Sequence, residues 1–196
     1  MKKMLKILPI LCLMLFVPAG AFALLDANLY GGIPFSGQYD DCNQKFFATN
    51  SSWGVSAHVN DTFLGFIQLG WGGFYQGSTA TYKAPGAMML GPDFSVKRYM
   101  AGLEAYVQLE IPVLPFGLYA KANTVAWDKV RIKEASYSHT DNFKRHAVGG
   151  GLLITIVPIP GIMRLRLFFE VDREFGKEDG ISVRQSNFFI GLRAEI

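Results

Sequence analysis

Charge is scarce in this chain. Only 18% of its 196 residues are Asp, Glu, Lys or Arg, against ~25% in ordinary soluble domains. The formal net charge is +3, and Lys2, Lys3 and Lys6 account for it. From residue 24 onward the chain is neutral, which removes the basic field that nucleic-acid binding needs; no nucleic-acid partner is expected. Cysteine is scarce too. Cys12 falls in the N-terminal segment, so Cys42 alone remains if that segment is removed, and no intramolecular disulfide can form. Beyond the N-terminus no apolar run reaches 18 residues, which excludes a spanning helix.

What the chain does have is a leader and an alternating body. Lys2, Lys3 and Lys6 form a basic n-region, Ile7 to Val17 an apolar core, and Ala21-Phe22-Ala23 an A-x-A cleavage site. Residues 1–23 are expected to be a secretory signal peptide of the Sec type, and 24–196 a single domain. The body contains most of the 21 glycines and an aromatic content of 14%, and apolar residues recur in it with period two. Tyr99, Ala101, Leu103, Ala105, Val107, Leu109 and Ile111 share one face, and Met100, Gly102, Glu104, Tyr106, Gln108 and Glu110 the other. Similar runs begin near Leu25, Trp53, Gly65, Phe116, Ala147, Met163 and Phe188, giving eight candidate strands. In the run from Ala147 both faces are apolar; Val148, Gly150, Leu152, Ile154 and Ile156 are expected outward, with Gly149, Gly151 and Thr155 inward.

The connections alternate in length. Short ones are expected around Asn60-Asp61-Thr62, Pro112 to Pro115 and Pro158 to Gly161. Long ones are expected over roughly 36–52, 76–98, 128–144 and 173–182. An up-and-down sheet would put all short turns at one end and all long loops at the other, as in transmembrane barrels. The faces point the same way. Charges sit among Gly, Tyr and Phe on one face, whereas the opposite faces are nearly uncharged over the nine to eleven residues that a tilted strand needs to cross a bilayer. Trp53, Trp71, Tyr75 and Tyr99 at the loop side, with Phe63 and Phe116 at the turn side, fit two interfacial girdles. The expected fold is an all-β, eight-stranded antiparallel up-and-down transmembrane β-barrel. The competing reading is a secreted β-sandwich with its charged faces outward.

The segment Phe188-Phe189-Ile190-Gly191-Leu192-Arg193-Ala194-Glu195-Ile196 resembles the final strand of bacterial outer-membrane proteins, with Ile196 where that family usually carries an aromatic residue. With the leader and the alternating connections, the chain resembles the small eight-stranded barrels of the OmpA membrane domain, OmpX and OmpW-like groups. The resemblance implies residence in the outer membrane among its lipids, both termini periplasmic, and assembly by the outer-membrane machinery through the C-terminal strand.

The bore of eight strands is just wide enough for side chains to fill. Glu104, Glu110, Lys121, Arg164, Arg166 and Glu170 are expected to face it and to pair as a plug, since unpaired buried charge is costly. Inward Leu64, Phe66, Phe74, Phe168 and Phe189 would instead suit a narrow channel for small or hydrophobic solutes. Phe46 and Phe47 in the first long loop, and Met88, Met89 and Leu90 in the second, are candidates for contact with a surface partner or small hydrophobic ligand. No catalytic, metal or cofactor site is expected. Ser56 and His58 share a face but lack a third orienting group, so His58 reads as a packed lumen histidine and a lipid-directed hydrolase is disfavoured. The acidic residues Asp172, Glu174, Glu178 and Asp179 match no metal-binding loop and read as solvated surface.

Overall fold

The computed structural model describes residues 24–41, 44–63, 66–83, 94–110, 114–133, 138–141, 145–159, 163–178 and 181–196. They form strands β1 (Leu24–Asp41), β2 (Gln44–Phe63), β3 (Ile67–Lys83), β4 (Phe94–Glu110), β5 (Phe116–Lys133), β6 (Ser138–Asp141), β7 (Arg145–Ile159), β8 (Met163–Glu178) and β9 (Ile181–Glu195). Pairing is antiparallel throughout. It runs from β1 through β2, β3, β4 and β5 to β7, β8 and β9, and β9 returns to β1. Eight strands therefore close a barrel, and β6 is a four-residue strand laid on the far end of β5. The seam is fastened where the chain ends. Leu25 N donates to Ile196 O at 2.9 Å, and Ile196 N to Leu25 O at 2.8 Å. Closure pairs each of these eight strands with two neighbours, as a sheet in lipid requires because no water is there to bond a free edge.

Each strand sorts its residues by parity, as period-two side chains must. On β1, Leu25 and Leu29 are 57% and 61% exposed while Asp26 between them is 3% exposed. On β4, Leu103, Val107 and Leu109 face out, and Glu104, Tyr106 and Gln108 are buried. On β7, Val148 and Ile156 are exposed and Leu153 is fully buried, in the expected register. The barrel is apolar outside and charged within. That polarity rules out the secreted sandwich, whose apolar residues would have to face each other in a core.

Several connections differ from the sequence reading. Asn60, Asp61 and Thr62 belong to β2, which runs on to Phe63, and β3 resumes at Ile67. The long connections are largely strand: Tyr39 pairs with Phe46, Asp41 with Gln44, Lys97 with Thr79 and Arg131, and Glu178 with Ile181. Antiparallel ladders thus continue past the length needed for a bilayer. Phe66 lies in the turn before β3 and is 39% exposed, not inward. Leu64 lies outside the described residues.

A bulge re-aims the loop end of β5. Ala101 pairs with Trp127 and Gly102 with Val125, so Ala126 is an extra residue on β5. A single inserted residue reverses the parity beyond it. Trp127 therefore turns outward, 46% exposed, and Asp128 turns into the bore.

The barrel lumen as candidate functional site

The lumen is filled in layers, each drawing its members from several strands. At the turn end, Glu110 of β4 meets Arg164 at 2.9 Å and Arg166 at 2.7 Å, both from β8. Glu195 of β9 completes the layer at 3.0 Å from Arg164 and 3.5 Å from Arg166.

The next layer crosses the bore. His58 Nδ1 lies 2.7 Å from Asp26 Oδ1, and His58 Nε2 lies 3.0 Å from Glu104 Oε1. Lys121 Nζ donates to Glu104 Oε2 and to Glu170 Oε1, each at 2.8 Å. Tyr119 donates its hydroxyl proton to Glu170 Oε2 at 2.6 Å. The path Asp26–His58–Glu104–Lys121–Glu170 thus passes through β1, β2, β4, β5 and β8 without a gap. Amides and a second tyrosine complete the bonding of Asp26. Asn60 Nδ2 donates to Asp26 Oδ2 at 3.1 Å, and the Tyr106 hydroxyl donates to the same oxygen. Arg193 of β9 fills the remaining gap. It donates to Asn28 and Gln108, each at 2.8 Å, with its guanidinium 4.7 Å from the centre of the Tyr106 ring and 5.2 Å from that of Tyr119.

An aromatic layer packs beside this belt. Tyr30 meets Phe189 edge-on with ring centres 5.2 Å apart, and Phe168 stands 6.1 Å from Tyr30 and 6.4 Å from Tyr119. Leu153 is buried among them. At the loop end lies a further charged layer. Arg98 reaches Asp128 at 3.0 Å and Glu174 at 2.5 Å, and Arg145 lies 3.5 Å and 3.6 Å from the same two residues. Asn187 Nδ2 donates to Asp172 at 2.8 Å and to Glu174 at 3.1 Å.

All six charged residues singled out from the sequence lie on the lumen side, in two separate layers: Glu110, Arg164 and Arg166 in one, Glu104, Lys121 and Glu170 in the other. Asp172 and Glu174, expected on a solvated loop, are instead buried in β8. Their acidity reflects lumen partners. Ser56 Oγ accepts from Asn28 Nδ2 at 2.9 Å while His58 is turned to two carboxylates, so the two do not form a nucleophile–base pair. Phe46 and Phe47 fall on the β2 backbone, opposite Tyr39 and Lys83 respectively. Met88, Met89 and Leu90 lie outside the described residues. Among the described residues no group of three His, Cys, Asp or Glu is arranged to hold a metal.

The outer wall is the other half of the site. Trp53, Tyr75, Tyr99 and Trp127 are exposed together, with Trp53 paired to Gly77, which in turn pairs with Tyr99. The Trp53 and Tyr75 rings lie 5.7 Å apart. Trp71 does not join them. It pairs with Val59 and Ala105, four residues from the β2–β3 turn, so it belongs to the turn side. A recess of about 690 Å³ opens on this apolar wall where Ala27, Ala57, Gly73 and Ala194 leave the surface low between Trp71 and Leu103.

Searches with family models and among curated proteins find no match. Solved structures do match. The barrel is similar to Neisserial surface protein A, with a TM-score of 0.57 at 15% identity over 89% of this chain and 97% of that one. The Yersinia pestis attachment protein Ail gives 0.49 at 13% identity over 88% and 99%. The N-terminal barrel domain of Pseudomonas aeruginosa OprF gives 0.49 at 11% identity over 88% and 98%. At such identity the likeness to the Neisserial protein is one of fold. Together with the inverted polarity of the wall it defines the class: a small eight-stranded outer-membrane β-barrel.

Proposed function

We propose that the protein is a closed, non-enzymatic outer-membrane scaffold that displays the extended hairpins at its loop end. The belt Asp26–His58–Glu104–Lys121–Glu170 carries this reading, because it spans the bore and ties five strands through buried hydrogen bonds. Residues 1–23 act as its cleaved signal peptide, and cleavage after Ala23 would free the chain at Leu24, where β1 begins. Surface contacts then fall to the loop ends, including Phe46, Phe47 and the Met88–Leu90 segment. Outer-membrane lipid surrounds the wall, and the C-terminal strand presents the assembly signal.

The competing reading is a narrow channel for small or hydrophobic solutes. Conductance in planar bilayers separates the two. The wild-type barrel should remain closed, and Lys121→Ala with Arg164→Ala should open a measurable conductance by removing one cation from each of two layers. Steady conductance by the wild type, or none gained by the double variant, would sink the plug.

A further inference from the structure

Among the described residues, the outer wall carries its cations at one end. Among residues whose side chains are described, the outward charged groups near the loop end are Lys97, Lys129, Arg131, Arg173 and Arg184, all exposed, with no carboxylate among them. Among the same residues the one outward carboxylate is Asp61, at the turn end. Three of the five cations converge. Lys97 stands opposite Arg131 on the β4–β5 ladder and Tyr99 opposite Lys129, and these four line a cleft of about 190 Å³.

Such an arrangement is unfavourable by itself, because like charges facing each other across one sheet face repel. No described carboxylate relieves it, since the ion pairs between described residues lie in the lumen. Depth identifies what does. Tyr99 and Trp127 belong to the aromatic belt that marks the edge of the hydrocarbon. Lys129 stands at the upper edge of the belt, opposite Tyr99 and two residues past Trp127, while Lys97 lies two residues past Tyr99 and opposite Arg131. At ~3.3 Å per residue and a tilt of ~45°, the three cations span from the belt's edge to about 5–10 Å above it, in the headgroup layer.

We infer that the β4–β5 wall binds the phosphate of a phosphorylated lipid headgroup in the leaflet at the loop end. Lys97, Lys129 and Arg131 supply the charge, and Arg131 adds a planar fork suited to two phosphate oxygens. Tyr99 forms the floor on which the rest of the headgroup rests. The inference depends on the outer-membrane reading of the barrel.

The test is retention of diphosphoryl lipid A by the detergent-solubilised full barrel, followed by native mass spectrometry, with phosphatidylcholine as the neutral comparison. Wild type should retain the diphosphorylated lipid in preference. K97Q/K129Q/R131Q should weaken retention about a hundredfold, at ~1 kcal/mol for each basic residue near an anionic surface. R173Q/R184Q, which removes charge elsewhere on the same ring, should leave retention close to wild type. Undiminished retention by the triple variant overturns the site. Equal loss per charge in both variants also overturns it, in favour of a diffuse field. Excess inorganic phosphate should not displace the lipid; full displacement would make the ligand a free anion instead. A heat-dependent gel shift reports the fold. Its absence from wild type would overturn the membrane reading itself. Should only the triple variant lack it, K97Q/R131Q carries the comparison, with an expected loss of about thirtyfold.

Discussion

Tyr30 stands across the β1–β2 ladder from Gly54, and its ring fills the space that a Cβ on Gly54 would take. The relationship recurs around the bore. Tyr106 lies over Gly70, Phe74 over Gly102, Tyr119 over Gly151, Phe168 over Gly191 and Phe189 over Gly32, each pair directly opposed on neighbouring strands. A ring lying along the wall needs a partner without a side chain, and the glycine gains a cover for its bare backbone.

Gly54→Val should therefore destabilise the barrel by ~1–3 kcal/mol, the usual cost of overpacking. Tyr30 cannot simply swing aside, because Phe189 and Phe168 flank it. Gly31→Ala is the control, since a Cβ there meets nothing nearer than Ser52 O at 3.8 Å. Urea unfolding in detergent micelles checks both. Equal midpoints would show that the ring-over-glycine contact contributes no rigidity.

Lys121→Met should cost more. Lys121 is the only cation shown within ion-pair distance of Glu170 among the described residues, and it shares Glu104 with His58. Removing one partner of a buried pair leaves uncompensated charge, worth ~3–5 kcal/mol. Adding Glu104→Gln and Glu170→Gln should recover much of the loss, because the stranded charges go with them. A single variant as stable as wild type would mean that water already solvates the belt.

The sequence was legible wherever alternation was unbroken. The thirteen-residue run from Tyr99 fixes β4 and its polarity, and the six chosen charges all face the lumen because parity alone places them. The partners were harder to read. Arg193 bonds Asn28 across a separation of 165 residues, and no local pattern marks such a pair, which depends on the closure of β1 against β9. Asp26 and Glu195 fall on the polar faces of their strands, but their partners lie on strands that only closure brings near, and Arg98 falls in a stretch that reads as a long loop but continues as β4. Asp172 and Glu174 were misassigned because a cluster of acids near the end of a strand is usually solvated. Here the strand continues, and Arg98, Arg145 and Asn187 wait on the other walls.

The two belt tryptophans permit a test of depth. Trp53 and Trp127 are exposed on the outer wall, whereas Trp71 lies toward the turn end. In vesicles containing brominated lipids, single-tryptophan forms retaining Trp53 or Trp127 should be quenched most strongly by bromine placed high on the acyl chain. Both should respond alike, as members of one belt near the interface. Strong iodide quenching of both from solution, without lipid quenching, would place the wall in water and refute the orientation.

Ala126 sits in the bulge between Val125, opposite Gly102, and Trp127, opposite Ala101. Deleting it joins those two residues in a regular ladder and keeps the facing of both, with Asp128 still in the bore beside Arg98 and Arg145. The deletion should therefore cost about 1 kcal/mol or less, as at exposed positions free of special contacts. Inserting an alanine between Trp127 and Asp128 should do the opposite. Regular alternation would then turn Asp128 out toward lipid and take it from Arg98 and Arg145, a loss of ~3–5 kcal/mol, in the range for breaking a buried ion pair. The heat at which the gel shift is lost checks the difference, and quenching by brominated lipid should find Trp127 facing out in both variants. An insertion variant as heat-stable as wild type would show that the ladder absorbs the added residue and that parity does not set the loop-end charges.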